Sequence, residues 1–202
     1  MGFVQTLRVR WQQADSLVCV GLDPEPTMFP AKFASDPGAI FNFCRDIVDA
    51  TAEYVCCFKP QIAHFAALGA EGALQRLIAH IHAAHPRIPV ILDAKRGDIG
   101  STAQHYASEA FDRYGADAVT ANPYLGRDSL HPFPDRADKG GGNLCRTSNP
   151  GAPAPPHAAV EPVPVPEPPA AGSGAGAATS GRMRRREERN MLSLPRRDGA
   201  VQ

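Results

Sequence analysis

Short apolar runs, each followed by a helical pattern, recur at roughly 30 to 40 residue intervals up to about residue 133. This alternation is the signature of β-α-β units, and so of a parallel sheet covered by helices. The runs are residues 17–23, 54–58, 88–94 and 118–121. Ahead of the first, Phe3, Val4, Leu7, Trp11 and Ala14 form one stripe of a leading helix. Between the first two, Asp36-Pro37 reads as a helix start, with Asp as the cap and Pro at the first helical position; Ile40, Phe43, Cys44, Ile47 and Val48 supply the buried face. The next helical stretch is interrupted at residues 69–72 and continues with Leu74, Leu77, Ile78 and Ile81. The last, residues 101–114, turns Ala103, Tyr106, Ala107, Ala110 and Phe111 inward and stops at Gly115. Four such units extrapolate to about 250 residues for eight, the size of a TIM barrel. The expected fold class is therefore α/β, an incomplete (β/α)8 barrel of four to five strands.

Beyond this region the composition changes. Residues 150–202 hold ten of the twenty prolines, with Ala and Gly filling much of the rest and no apolar periodicity. The expected division is a partial barrel domain over residues 1–150 and a tail over residues 151–202. The stretch from 150 to about 181 cannot bury enough apolar area to offset the entropy of ordering, so disorder is expected there. Residues 182–197, with seven arginines, read as solvated. Formal net charge is zero, which gives no pull toward nucleic acid or a membrane surface. No apolar run approaches a membrane span. Five cysteines (Cys19, Cys44, Cys56, Cys57, Cys145) fit no zinc spacing and suggest reduced thiols in a cytoplasmic protein.

Chemistry concentrates in residues 92–102. Residues two apart in a strand share a face, so Asp93 and Lys95 point together at the carboxy-terminal end of the third strand. Active sites of TIM barrels lie at that end. Lys59 and Asp23 hold the corresponding ends of the second and first strands, and four ionisable groups converge on one rim. Alternating Lys and Asp keeps each lysine protonated in a partly desolvated site. A lysine so held can donate a proton to a carbanion formed beside it. The bland alternative is a set of ordinary strand-end ion pairs. His80, His82 and His85 make no facial metal site by the 80/82 and 82/85 spacings and read as solvated surface. Gly140-Gly141-Gly142 lacks the following Lys-Ser/Thr of a phosphate loop.

The D-x-K-x-x-D run of Asp93, Lys95 and Asp98, followed by Ile99-Gly100-Ser101-Thr102, resembles the signature of orotidine 5'-phosphate decarboxylases. Val20-Gly21-Leu22-Asp23-Pro24 and Phe58-Lys59-Pro60-Gln61 are similar to that family's first two strand ends. Residues 122–129 and 145–151 are similar to later segments of its longer bacterial branch. The resemblance covers about two-thirds of the chain. It implies that Lys95 protonates C6 of the pyrimidine as carbon dioxide leaves, while Asp93 lies against the substrate carboxylate and orients Lys95. It implies that Lys59 bridges Asp93 and the ribose hydroxyls, that Asp23 binds ribose, and that Ser148 hydrogen-bonds the pyrimidine edge. Asp98, Ile99 and Thr102 would reach into a neighbouring subunit's site, making a homodimer the active unit. The partner is then a small nucleotide, with no metal or organic cofactor, no nucleic acid and no membrane.

Residues 151–202 offer nothing like the family's carboxy-terminal half, including the Arg and Gln that grip the substrate phosphate, and activity of this chain is expected to be impaired. The apolar run expected for a fifth strand before Leu144-Cys145 is replaced by Lys139, three glycines and Asn143. Two rivals remain: a non-catalytic remnant, and a magnesium-dependent sugar-phosphate decarboxylase or aldolase of the same barrel group. The latter places an acidic metal ligand where this chain has Lys59. We hypothesise that the tail arises from an altered reading frame in a G+C-rich gene. Sequencing the region should then find the missing strands encoded in a neighbouring frame, and an intact frame without that coding capacity would contradict it.

Overall fold

Period-two alternation along four short strands separates two apolar layers, and this separation positions everything else. In the computed structural model, which describes residues 1–133, 135–145, 147 and 149, the strands are β1 (Cys19–Leu22), β2 (Cys57–Pro60), β3 (Ile91–Arg96) and β4 (Ala118–Ala121). β1 and β2 pair in parallel with Cys19 opposite Cys57 and Gly21 opposite Lys59. β3 and β4 pair in parallel with Ile91 opposite Ala118 and Leu92 opposite Val119. Two parallel bridges, Phe58 to Val90 and Gln61 to Asp93, join the pairs. The strands thus lie side by side in chain order, as successive units of an incomplete (β/α)8 barrel do. A fifth strand, β5 (Gly140–Asn143), follows β4 in the sheet order.

One face of these strands belongs to the helices. Val20, Leu22, Phe58, Val90, Leu92 and Val119 pack with side chains of α2 (Ala39–Thr51), α3 (Ile62–Ala66), α4 (Glu71–Ala84) and α5 (Gly100–Ser108). Phe58, Leu92, Val90 and Val119 are wholly buried there. Burial of a side chain of this size is worth about 1.5–3 kcal/mol, so this layer supplies most of the local stability. The other face carries Cys57, Ile91 and Ala118, and these pack with Leu7 of α1 (Phe3–Ala14), with Phe3, Trp11 and Cys19 alongside. Arg10 ties α1 down by donating to the carbonyls of Ala52 (2.6 Å) and Val55 (3.0 Å).

The structure corrects several local expectations. Val4 is 44% exposed and does not share the buried stripe of α1. Asp36 does not cap α2, which starts at Ala39. Its carboxylate instead accepts from the Gly38 N–H (2.7 Å) and Asn42 Nδ2 (2.6 Å), bracing the loop ahead of the helix. β2 begins at Cys57 and runs through Lys59-Pro60, later than residues 54–58. β3 likewise extends past Ala94 to include Lys95 and Arg96. The helix expected over residues 101–114 is regular only to Ser108 and widens into a π turn, Glu109–Arg113. Glu109 in that turn accepts from Arg96 Nε (3.0 Å) and Nη2 (2.8 Å), fastening the end of β3 to the helix. His80, His82 and His85 are half-buried and paired with carboxylates rather than solvated. The expectations for residues 151–202 lie outside the described residues, and among those described no helix is long and apolar enough to cross a membrane.

The glycines of residues 140–142 are themselves strand rather than a gap before one. The reason is a close approach: a Cβ at Gly140 would run into the Phe3 ring. Gly140 also donates its N–H to the Asp117 carbonyl (2.8 Å). Gly140→Ala should therefore destabilise by roughly 1–3 kcal/mol through overpacking, although Ala has the better strand propensity. Phe3→Leu in the same chain should recover part of that loss. Urea unfolding of the two variants decides the matter, and a Gly140→Ala variant as stable as the parent would refute the contact.

Candidate active site

The residue two places beyond each inner apolar residue carries the polar chemistry. On the face that meets α1, Cys57, Ile91 and Ala118 are followed by Lys59, Asp93 and Thr120. These form a polar layer at the carboxy-terminal side of the apolar one. Asp93 is the hub. Lys59 Nζ donates to its Oδ2 at 2.8 Å, and Lys95 Nζ donates to its Oδ1 at 2.6 Å. The Thr120 hydroxyl donates to the same Oδ1 at 2.8 Å. Asp93 is only 6% exposed, whereas the Lys59 and Lys95 side chains keep 34% and 46% of their accessibility. A buried carboxylate is thus flanked by two ammonium groups that still reach solvent.

Lys95 meets Asp93 by more than simple alternation. Its backbone is left-handed, with φ of 48°, and the β3–β4 register shifts between Leu92 and Arg96. A non-glycine residue in this conformation costs on the order of 1–3 kcal/mol and persists only where its surroundings over-determine it. Here Thr120 Oγ1 accepts from the N–H groups of both Ala94 and Lys95, each at 3.0 Å. One threonine therefore holds the kink and braces the carboxylate. Sequence reasoning did not single out Thr120; the available signal was its being the one hydroxyl in the run Ala118-Val119-Thr120-Ala121. Gly97 follows just beyond, where a Cβ would lie 3.0 Å from the Asn122 carbonyl oxygen, tighter than an ordinary contact.

Electrostatics follow from this geometry. Burial pushes the Asp93 carboxyl up, but the hydrogen bonds from Lys59, Lys95 and Thr120 outweigh it and hold the group below its ordinary 3.8. Burial pushes Lys59 down, and the Asp93 carboxylate, backed by Cys19 and Asp23, more than reverses this and raises it above 10.5. Asp23 is exposed just past β1 and acts on Lys59 through space. Each ammonium has three donors, so both lysines can hold Asp93 and a second oxygen or a carbanion at once.

Lys59, Asp93 and Lys95 thus meet on one face, with Asp23 beside them. Asp98 lies apart: its Oδ1 accepts from the adjacent Ile99 N–H at 2.8 Å. Ile99 is 59% exposed, and Thr102 is exposed on the first turn of α5. Ser148 lies outside the described residues.

Two outcomes follow from the hub. Thr120→Val removes one of the two donors to Asp93 Oδ1 and takes the acceptor from the Ala94 and Lys95 N–H groups, so unfolding should become easier by about 1–3 kcal/mol. No loss on urea titration would contradict the bracing role. Because the folded-state ionisation of Asp93 is depressed, its contribution is complete above its ordinary 3.8 and lost as pH falls through the lower folded value. The raised Lys59 contributes fully below 10.5 and loses that as pH rises through its higher folded value. Asp93→Asn should accordingly flatten the acid limb of the stability profile. An unchanged acid limb would show that the carboxylate is not held by its neighbours.

The chain is similar to known proteins in sequence and in structure. Residues 16–159 match the model of the Orotidine 5'-phosphate decarboxylase / HUMPS family. Over 151 residues the chain is 65% identical to an orotidine 5'-phosphate decarboxylase of Aromatoleum aromaticum, covering 75% of this chain and 56% of that protein. A Ralstonia pickettii relative of the same name is 62% identical over the same shares. The chain therefore spans little more than half the length of the curated relatives it matches. Among solved structures, a putative orotidine-monophosphate-decarboxylase from Toxoplasma gondii superposes with a TM-score of 0.67 at 44% identity, covering 73% of this chain and 50% of that one. An OMP decarboxylase from Leishmania donovani gives a TM-score of 0.64 at 44% identity, with 75% and 56% covered. With residues 16–159 of its 202 matched by the family model, the chain belongs to the orotidine 5'-phosphate decarboxylase / HUMPS family.

Proposed function

We propose that the Lys59-Asp93-Lys95 array belongs to a site that decarboxylates orotidine 5'-phosphate to UMP in pyrimidine biosynthesis. The observation that carries this reading is the buried Asp93 carboxylate shared by two ammonium groups, at 2.8 and 2.6 Å. An anionic Asp93 set against the substrate carboxylate destabilises the ground state, and the repulsion is relieved as carbon dioxide departs. The electron pair left on C6 then takes a proton from Lys95, whose ammonium Asp93 holds in place. Lys59 bridges Asp93 and the ribose hydroxyls, and Asp23 adds a second ribose contact. Asp98, Ile99 and Thr102 serve the neighbouring subunit's site in a homodimer, and Ser148 holds the pyrimidine edge. Five free thiols support a reducing, cytoplasmic setting.

The residue types favour this chemistry over a magnesium-dependent one. The Lys59 ammonium occupies the place beside Asp93 that a divalent cation would need. In our reading residues 1–150 are the catalytic half of the barrel, and residues 151–202 do not supply the phosphate grip. Binding energy from remote groups such as a phosphate is what drives closure and distortion at the reacting carbon. The 202-residue chain is then a poor catalyst by itself.

A chimera separates the competence of these residues from the makeup of the tail. Residues 1–150 are joined to the carboxy-terminal part of the Aromatoleum aromaticum relative and assayed on orotidine 5'-phosphate. The chimera should turn over, and Lys95→Ala within it should lose about 10²–10⁴-fold in kcat, the usual worth of a positioned proton donor. The unmodified chain should show little or no turnover. An inactive but folded chimera would favour the non-catalytic remnant, and a Lys95→Ala chimera as fast as its parent would overturn the assigned role.

A further inference from the structure

Away from the strand tips, three side chains from two helices converge on one point of the outer surface. Asp49 lies near the end of α2, and His80 lies on α4. His85 follows the last residue of α4, with its N–H still bonded to the Ile81 carbonyl at 2.8 Å. Both imidazole Nε2 atoms address the same oxygen, Asp49 Oδ1, at 2.8 Å from His80 and 2.9 Å from His85. The three potential ligand atoms all fall within 4.8 Å of one another. The rings stand nearly perpendicular, at 82°, and each turns its Nε2 edge toward Asp49 Oδ1. Side-chain exposure is 25% for His80, 24% for His85 and 45% for Asp49. The imidazoles are therefore held by packing, His80 with its ring edge-on to Phe41, while the carboxylate side opens to water.

We propose that Asp49, His80 and His85 form a binding site for a borderline divalent transition metal, Zn2+ in the first instance. Two imidazoles and a carboxylate are the donor set that such ions select, in contrast to the all-oxygen sets preferred by magnesium and calcium. Tetrahedral coordination at about 2.0–2.2 Å places neighbouring donor atoms about 3.3 Å apart. The two nitrogen-to-oxygen separations, 2.8 and 2.9 Å, need to widen by only about half an ångström on metal entry, and the two nitrogens already lie within 4.8 Å of each other. Each neutral imidazole then carries its proton on Nδ1 and presents the Nε2 lone pair, so no net proton need be lost. The fourth position faces solvent and takes a water molecule.

Surrounding charge permits this. Arg45, one turn before Asp49, is engaged by Asp46 at 2.8 Å, and Arg76 lies over the Phe41 ring at 4.8 Å. Neither guanidinium is hydrogen-bonded to the three donors, and Arg45 acts on Asp49 only through space. The spacing of five residues between His80 and His85 would place them on different faces of a continuous helix. They meet because His85 has left the helix, with φ of −130° and ψ of 59°. A bound ion would pin the end of α4 to α2.

Zn2+ titration of the full chain by calorimetry tests the site, with far-ultraviolet circular dichroism to check that each variant is folded. One-to-one binding is expected. Asp49→Asn, His80→Gln and His85→Gln should each weaken it by at least about tenfold. His105→Gln, at an exposed position on α5, should leave it unchanged. Should any variant fail to fold, diethyl pyrocarbonate footprinting of the parent chain supplies the answer, with Zn2+ expected to protect His80 and His85 but not His105. Absence of Zn2+ binding, binding indifferent to all three substitutions in folded variants, or protection of His105 alone would overturn the proposal.

Discussion

A carboxylate that is almost entirely withdrawn from water must be compensated, and Asp93 is compensated from three directions. Lys59 reaches it from β2, Lys95 from further along β3, and Thr120 from β4. Three neighbouring strands are thereby registered against one another at their carboxy-terminal ends by a single charged group. The same arrangement suits chemistry. A fixed anion with both oxygens engaged cannot relax away from an incoming negative charge, and an ammonium fixed by that anion stays aimed. One set of contacts thus serves both the folding of the sheet and the chemistry at its rim.

The rest of the fold exists to place that interaction at a rim. The layer Phe58, Leu92 and Val119 under the helices fixes the strands, and alternation then leaves every second residue on the opposite face. Low on that face the residues are apolar and are covered by α1, whose Phe3 approaches closely enough to require glycine at position 140. One step higher they are polar, and Lys59 and Lys95 both keep contact with solvent. The boundary between the two layers is a single peptide pair along each strand. This is why a shift of one residue in any strand would exchange a charge for a core side chain.

Much of this is legible in the sequence, because period-two and period-3.6 patterns report directly on which faces are buried. The strand order, the helical faces of Cys44 and Val48 or of Leu77 and Ile81, and the convergence of Lys59, Asp93 and Lys95 all follow from such patterns. What escapes them depends on conformations that pattern does not encode. The left-handed backbone at Lys95 carries no compositional mark, and Thr120 is a modest residue whose importance arises only once three strands are paired. The neighbouring Pro37 marks Asp36 as a helix cap, yet its carboxylate serves the loop ahead of the helix. At Gly140 the apolar signature of a strand is missing because the space for a side chain there is filled by Phe3, more than one hundred positions away. His80 and His85 look unrelated in sequence because their meeting depends on where α4 ends.

Central to all of this is an Asp93 held as an anion by both lysines on one face. The most direct test is a carbon-13 titration of the Asp93 side-chain carboxyl in the parent chain and in Lys59→Met and Lys95→Met. A midpoint below 3.8 is expected in the parent, with a rise in each variant. A parent midpoint at or above that value, or variants that titrate like the parent, would mean that the charges do not share a site.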